Sequence, residues 1–458
     1  MTPNDPGAGP SSGGQSKSST QSSWSTDSSS AWDDWPRDFD GTGLFERINC
    51  AADEPIFRFD VGTVLDEVEQ QLGSTVVDIP KVGKGSNYFG MHLRLANGLD
   101  VLVRLARCDV NWLRRNVEEI SELVRQQAYE VEFEAQVYQL LRAQDRIPTP
   151  NLLYCRAAAY KPSAPPTPHR LPPRDTLGRA LFLFEKTPGV NNVWPDDTHR
   201  RFSILEQCAR IRAALFSFPL PPSFVATWLR RAPCPKFLPI DVDIAPTRDF
   251  AIAFLAAKIH ETIPDRGGFI GWEEDRTTVG PAALRAKQAL LRLLPWVMPR
   301  EADSTHDGRE GEGGGRLYRL VFDHGDFGIH NMTITDTEPP AVTSLYDWEM
   351  GHIVPALLSD PQISVYVDLE LDPEEGEPTI SRVWDGISME ERREYEACAE
   401  HYFQCLGKES PEYLDVIRAG RDARKIWFTL KSWRGDEPER YFGKLGAWAE
   451  DRLSQFVT

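Results

Sequence analysis

The stretch FDHGDFGIHN, residues 322–331, places two histidines, two aspartates and an asparagine in ten positions, and its first residue closes the apolar run Leu320-Val321-Phe322. A buried strand followed at once by so many polar groups folds only if each group finds a partner. Three arrangements meet that condition: a metal cage, a set of bonds to the backbone, or a loop that carries chemistry. A cage of His and Asp needs further ligands. Only His306 and His352 lie nearby, without a recognisable pattern. A structural turn, with Asp and Asn bonding backbone groups, needs no partner elsewhere.

The rest of the chain narrows the classes. Its 458 residues suit two or three domains, or one two-lobed enzyme with additions. With 41% hydrophobic and 10% aromatic residues a sizeable core is expected. A net charge of -18 argues against nucleic acid as a partner, since phosphates call for a basic patch. It is compatible with a cationic substrate, or with solubility alone. The seven cysteines are scattered and no pair has CxxC spacing, so reduced thiols and a cytoplasmic location are expected. No apolar run reaches a membrane span, and the N-terminus has neither the apolar core of a signal peptide nor an arginine before Arg37. No membrane partner is expected.

Residues 1–55 are expected to form a disordered tail, because the first 35 are dominated by Ser, Gly and Pro and cannot offset their ordering entropy. From Phe57 the pattern becomes regular. Val61, Leu65, Val68 and Leu72 have helical spacing, with Gly73 to stop the helix. Strands are expected at Val76–Ile79, Tyr88–Leu95 and Asp100–Leu105, the last two joined by a turn at Asn97-Gly98. A helical region over 111–143, a strand after Pro150 and a strand ending at Glu185 follow. Pro-rich 161–175 and Gly-rich 303–316 read as loops. After residue 190 the chain reads as mostly helix, interrupted by a hairpin of NMTIT and AVTSLYDWE, with the remainder helical. Ser388 to Glu391 is a capping-box pattern and Ser410-Pro411 a second helix start. There is no internal repeat. The expected fold is α+β and two-lobed: a β-rich lobe over 56–187 and a larger, mainly helical lobe over 188–458.

Asp326 and Asn331 are separated by four residues, and Asp347 follows after the hairpin. Phosphoryl transfer needs one carboxylate to orient or deprotonate a hydroxyl, and an amide oxygen with a second carboxylate to hold Mg2+. Mg2+ accepts such a sparse oxygen set because phosphates and waters complete it.

HGDFGIHN followed by YDWE resembles the signature of the aminoglycoside phosphotransferase-like family, within the protein-kinase-like superfamily, and is especially similar to its divergent fungal members. The resemblance implies a kinase-like fold with a small antiparallel N-lobe. It implies transfer of the γ-phosphate of ATP, or GTP, to a hydroxyl acceptor on a small molecule. By the motif, Asp326 is the base or orienting group, His324 organises the loop, and Asn331 and Asp347 bind Mg2+. Asp360 sits where the family has a buried aspartate supporting the loop, and Asp323 and His330 are expected to be bystanders. KVGKGSNYF occupies the position of the nucleotide loop, with Gly83, Gly85, Ser86 and Asn87 near phosphates. Arg104 stands where the superfamily commonly has lysine, with Arg107 as a competitor and Glu134, in the pattern E-A-x-x-x-x-L-L, as its partner. Glu132 would face elsewhere. Glu185 to Thr187 fit the connector that meets the adenine edge. The plain alternatives are a solvent-facing edge-strand arginine and solvated helix carboxylates. Because arginine replaces lysine, a pseudokinase that keeps the fold as a binding or scaffold module is the alternative function. The acidic run LELDPEEGEP is expected on a helical surface, and Trp427, Trp433 and Tyr441 in the core.

Overall fold

The alternation of Val101, Val103 and Leu105 sends these side chains to one face of a sheet and Arg104 to the other. The computed structural model describes residues 59–111, 116–161, 175–231, 240, 242–264, 279–300, 316–373, 375–435 and 437–457. The expected tail (1–55), nearly all of the Pro-rich stretch and nearly all of the Gly-rich stretch lie outside these.

Helix α1 (Val61–Leu72) begins at Asp60, whose carboxylate accepts the Thr63 amide, and ends at Gly73 in the left-handed conformation. Strands β1 (Val76–Lys84), β2 (Tyr88–Leu95), β3 (Asp100–Ala106), β4 (Leu152–Arg156) and β5 (Leu181–Glu185) form one antiparallel sheet. Its order is β1-β2-β3-β5-β4. One face packs Val101, Val103, Leu105, Leu181 and Leu183 against α1. The other turns Phe182 and Phe184 toward helix α2 (Val117–Leu141), which Asn116 caps. β3 lies inside the sheet, so Arg104 is not an edge-strand arginine facing solvent; it is 7% exposed.

The second lobe follows a short strand, β6 (Val190–Asn191). Its helices are α3 (Thr198–Ser217), α4 (Pro222–Arg231), α5 (Arg248–Thr262), α6 (Val279–Val297), α7 (Met389–Glu409), α8 (Pro411–Ala419), α9 (Arg421–Ser432) and α10 (Pro438–Val457). The capping box at Ser388 and Glu391 forms, and Pro411 opens α8. Trp427 is buried, while Trp433 and Tyr441 pack against that core.

Two expectations fail here. The first strand does not end at Ile79 but runs through Gly83 to Lys84, with Gly83 opposite Gly90. The glycine turn therefore starts at Gly85. The segment after Asp347 is also not simply helical. After β7 (Leu320–Asp323), β8 (Met332–Ile334) and β9 (Val342–Leu345) come four more short strands: β10 (His352–Pro355), β11 (Ile363–Ser364), β12 (Asp368–Leu371) and β13 (Pro378–Ser381). β10 pairs with β7, and β11-β12-β13 form a separate sheet. The start of LELDPEEGEP is thus strand β12, not a helical surface.

Among the described residues no helix is long and apolar enough to cross a membrane. The cysteines described (108, 155, 208, 398 and 405) are all free thiols.

Candidate active site

β7 delivers its last residue, Asp323, into the interior. Asp323 sits 3.6 Å from the Arg212 guanidinium of α3 and accepts the Asp360 amide at 2.9 Å. Burial, only partly offset by Arg212, raises its carboxyl to about 6. Arg212 also stacks over the Phe327 ring and donates to the Gln362 carbonyl. Asp323 is therefore a support at the root of the loop and not a bystander. Asp360, expected to be the buried supporting aspartate, is only half-buried, and its side chain accepts the Gln362 amide.

His324 is fully buried. Its Nε2 lies 2.9 Å from the Tyr346 carbonyl, and its Nδ1 lies 3.3 Å from the Asp326 amide. A carbonyl only accepts and an amide only donates, so Nε2 carries the proton and the ring is neutral. Burial drives its pKa down to about 4 despite the Tyr346 bond. This has a consequence for stability. The unfolded histidine binds a proton below pH 6.5 and the folded one does not until about pH 4, so falling pH favours unfolding across that window. The stability advantage of wild type over His324→Asn is expected to narrow by about 2 kcal/mol between pH 7 and pH 5. Denaturant unfolding of both proteins at the two pH values reads this directly; an unchanged gap would contradict the buried neutral ring.

Gly325 turns the chain with φ +82°, and a Cβ there would meet the Met350 carbonyl oxygen at 2.0 Å. Gly325→Ala is therefore expected to cost about 2 kcal/mol or more, read as a lowered midpoint in denaturant unfolding.

Asp326 reaches the cleft. One carboxylate oxygen, Oδ2, accepts from His330 Nε2 and from Asn331 Nδ2, each at 3.1 Å. Burial would raise its pKa, but the His330 bond and charge, with His324 and Asn331, bring it down to about 2. His330 is thus a partner of Asp326, contrary to its expected role as a bystander. Asn331 gives its Nδ2 to Asp326, which leaves its Oδ1 for another partner.

Asp347 follows β9 with φ +66°, a left-handed conformation rare for a residue other than glycine. Its amide donates to the Tyr138 hydroxyl, which in turn donates to Glu134 Oε1. That oxygen also accepts from Arg104 Nη1 at 3.0 Å and from the Trp348 amide. Arg104 Nη2 donates to Asp347 Oδ1 at 2.7 Å. One arginine therefore joins Glu134 of α2 to Asp347, with Tyr88 under its guanidinium at 4.3 Å. Burial alone would lower the pKa of Arg104, but Asp347 and Glu134 outweigh it and hold the cation charged. Glu132, two residues from Glu134, is exposed as expected.

Arg107 has a different task from the one for which it competed. Its Nη1 donates to the carbonyls of Gly85 and Ser86, and its amide to that of Asn87. In a trans peptide the N–H points opposite to the preceding C=O. The amides of Ser86 and Asn87 consequently point away from Arg107, as adjacent donors of the kind that take an anion. Asn87 Nδ2 donates to Glu349 Oε1 at 2.7 Å, tying this turn to the DWE segment. Burial, reinforced by Asp347, pushes the Glu349 carboxyl up to about 8.

These groups border one cleft of about 260 Å³. Gly85, Ser86, Asn87, Arg104, Asp326, Asn331 and Asp347 line it, and so do Glu185 and Thr187. Gly83 does not line it, and Glu134 sits behind Arg104 at 1% exposure. Thr187 Oγ1 meets Ser344 Oγ at 3.0 Å, and the amides of Glu185 and Lys186 are already used by Asn151 and Asp100. Glu349 lies within the DWE motif, but the sequence gives it no role. Nor does the sequence signal the β11-β12-β13 sheet, whose Ser364 amide bonds the Phe327 carbonyl beside Asp326.

No protein-family model matches the chain, and no curated protein matches it. Among solved structures it is similar to an aminoglycoside-3'-phosphotransferase of type VIII, at 16% identity and TM-score 0.33, over 78% of this chain and 97% of that one. It is also similar to a macrolide 2'-phosphotransferase from Brachybacterium faecium, at 13% identity and TM-score 0.35, over 84% of this chain and 97% of that one. A third is a spectinomycin phosphotransferase in complex with ADP and spectinomycin, at 12% identity and TM-score 0.33, over 85% and 97%.

Proposed function

We propose that this protein transfers the γ-phosphoryl group of ATP, or GTP, to a hydroxyl of a small molecule. The observation that carries the reading is the convergence of Asp326, Asn331 and Asp347 in one cleft with the Ser86-Asn87 amides and a buried, charged Arg104. In this reading residues 56–187 hold the nucleotide and residues 188–458 supply the loop chemistry and the acceptor site. The base edge is met around Thr187, where the connector borders the cleft.

The donors fit Mg2+. Asn331 Oδ1 and the second oxygen of Asp347 are hard oxygen ligands, and phosphates with waters complete such a set. When bound, Mg2+ would neutralise charge on the phosphates. Asp326 receives the acceptor hydroxyl and orients its lone pair at phosphorus. With its pKa near 2 it is a weak proton store, so orientation is its main task. In a loose transition state the hydroxyl proton departs late, which suits such a group. The acceptor O–P bond forms as the bond to the β-phosphate oxygen breaks. ADP leaves, and the proton passes by way of Asp326 to solvent. Arg104 sets the position of Asp347 and presents positive charge toward the phosphates.

A second reading is favoured by one contact. Arg104 occupies Asp347 Oδ1 at 2.7 Å and so competes with a cation for it, as a binding or scaffold pseudokinase would allow. Turnover separates the two readings. The test is ADP formation by the purified chain with ATP, Mg2+ and a library of hydroxyl-bearing metabolites. Acceptor-dependent ADP formation is expected. Mg2+-dependent nucleotide binding without turnover would favour the pseudokinase, and the absence of both would overturn the nucleotide site.

A further inference from the structure

α3 and α7 pack along each other, and no residue of either lines the cleft. Glu206 projects from α3. His401 and Cys405 are one turn apart on α7 and share a face of it. His401 Nε2 lies 3.5 Å from Glu206 Oε1 and 3.6 Å from Cys405 Sγ. One ring nitrogen has either a proton or a lone pair. Its contact with Cys405 is a hydrogen bond, and Glu206 is the carboxylate beside the same nitrogen.

A cation among the three atoms serves all of them. Bond lengths of about 2.1 Å for N and O and about 2.3 Å for S, at tetrahedral angles, give N–O and N–S edges of roughly 3.4 and 3.6 Å. The separations of 3.5 and 3.6 Å match these, and all three donor atoms lie within 4.8 Å of one another. The His401 ring is held in plane by stacking on Phe202, with centroids 4.0 Å apart and planes 8° from parallel. The other Glu206 oxygen lies toward Arg210, at 3.9 Å. Among the described residues this is the one group of three or more His, Cys, Asp and Glu side chains whose donor atoms cluster this closely.

We propose that Glu206, His401 and Cys405 form a zinc site that joins α3 to α7. As the S–Zn bond forms, the thiol proton leaves to solvent. A carboxylate, a thiolate and a neutral imidazole then balance the charge of Zn2+. Three protein donors leave one tetrahedral position for water. The site bears on α3, the helix whose Arg212 supports Asp323 at the root of the 322–331 loop.

The test uses the full chain, reduced and stripped with chelator, titrated with Co2+ as a spectroscopic substitute for Zn2+. One equivalent is expected to give a thiolate-to-cobalt charge-transfer band with the visible bands of a tetrahedral centre, and Zn2+ should displace it. The charge-transfer band should vanish in Cys405→Ser. The affinity should fall on the order of 100-fold or more in His401→Gln. Absence of a thiolate band at stoichiometric Co2+ would overturn the site. A band that persists in Cys405→Ser would also do so, by placing the metal on another cysteine. Circular dichroism of the metal-free variants checks their folding. If one does not fold, Glu206→Gln on the exposed side of α3 carries the test, and undiminished affinity there overturns the proposal.

Discussion

Asp326→Asn is expected to lower turnover on the order of 10²- to 10⁴-fold while leaving nucleotide affinity within about threefold. The substitution preserves size, so the loop held by His324 and Gly325 stays in place. What is lost is the negative oxygen that aligns the acceptor hydroxyl. The nucleotide contacts proposed here, through Ser86, Asn87 and Arg104, are on other elements. Steady-state kinetics and nucleotide titration of the same preparation separate the two effects. A parallel fall in affinity would instead indicate that the loop had collapsed.

Glu134→Ala is expected to destabilise the fold by about 3–5 kcal/mol. Glu134 is 1% exposed and accepts from Arg104, Tyr138 and the Trp348 amide through one oxygen. Removing it leaves Arg104 buried with Asp347 as its remaining carboxylate and strips two further donors of their acceptor. Arg104→Met with Glu134→Leu together is expected to cost far less than the sum of the single changes, because the pair is removed as a unit. Denaturant unfolding of the two single variants and the double variant closes this cycle. Additive effects would show that the buried pair is not coupled.

Parts of this site were legible in the sequence because their signals are local. The spacing from His324 to Asn331 placed the loop, and the position that the resemblance gives to Arg104 placed the cation. The E-A-x-x-x-x-L-L pattern singled out Glu134, and the two-residue offset turns Glu132 to another face of the helix. Contacts between distant segments were not legible. Arg104 and Asp347 are 243 positions apart, and Asn87 and Glu349 are 262 apart. No local pattern says that these pairs meet. Gly83 and Gly85 read alike in the sequence, whereas pairing with β2 carries the strand through the first and breaks at the second. The sheet at 363–381 was hidden by its acidic composition. Asp368 is buried there because Arg382 and Ser364 bond it, a compensation visible only in three dimensions.

Whether Asp326 directs a phosphoryl group from the nucleotide to a hydroxyl acceptor is read by following a γ-phosphate label. Wild type and Asp326→Asn are incubated with labelled ATP, Mg2+ and an acceptor that supports ADP formation, and the label is traced by mass spectrometry. The predicted result is label covalently bound to the acceptor oxygen in wild type, in step with ADP, and almost none with the variant. Label appearing only as inorganic phosphate, or appearing on the acceptor equally with both proteins, would contradict this role of Asp326.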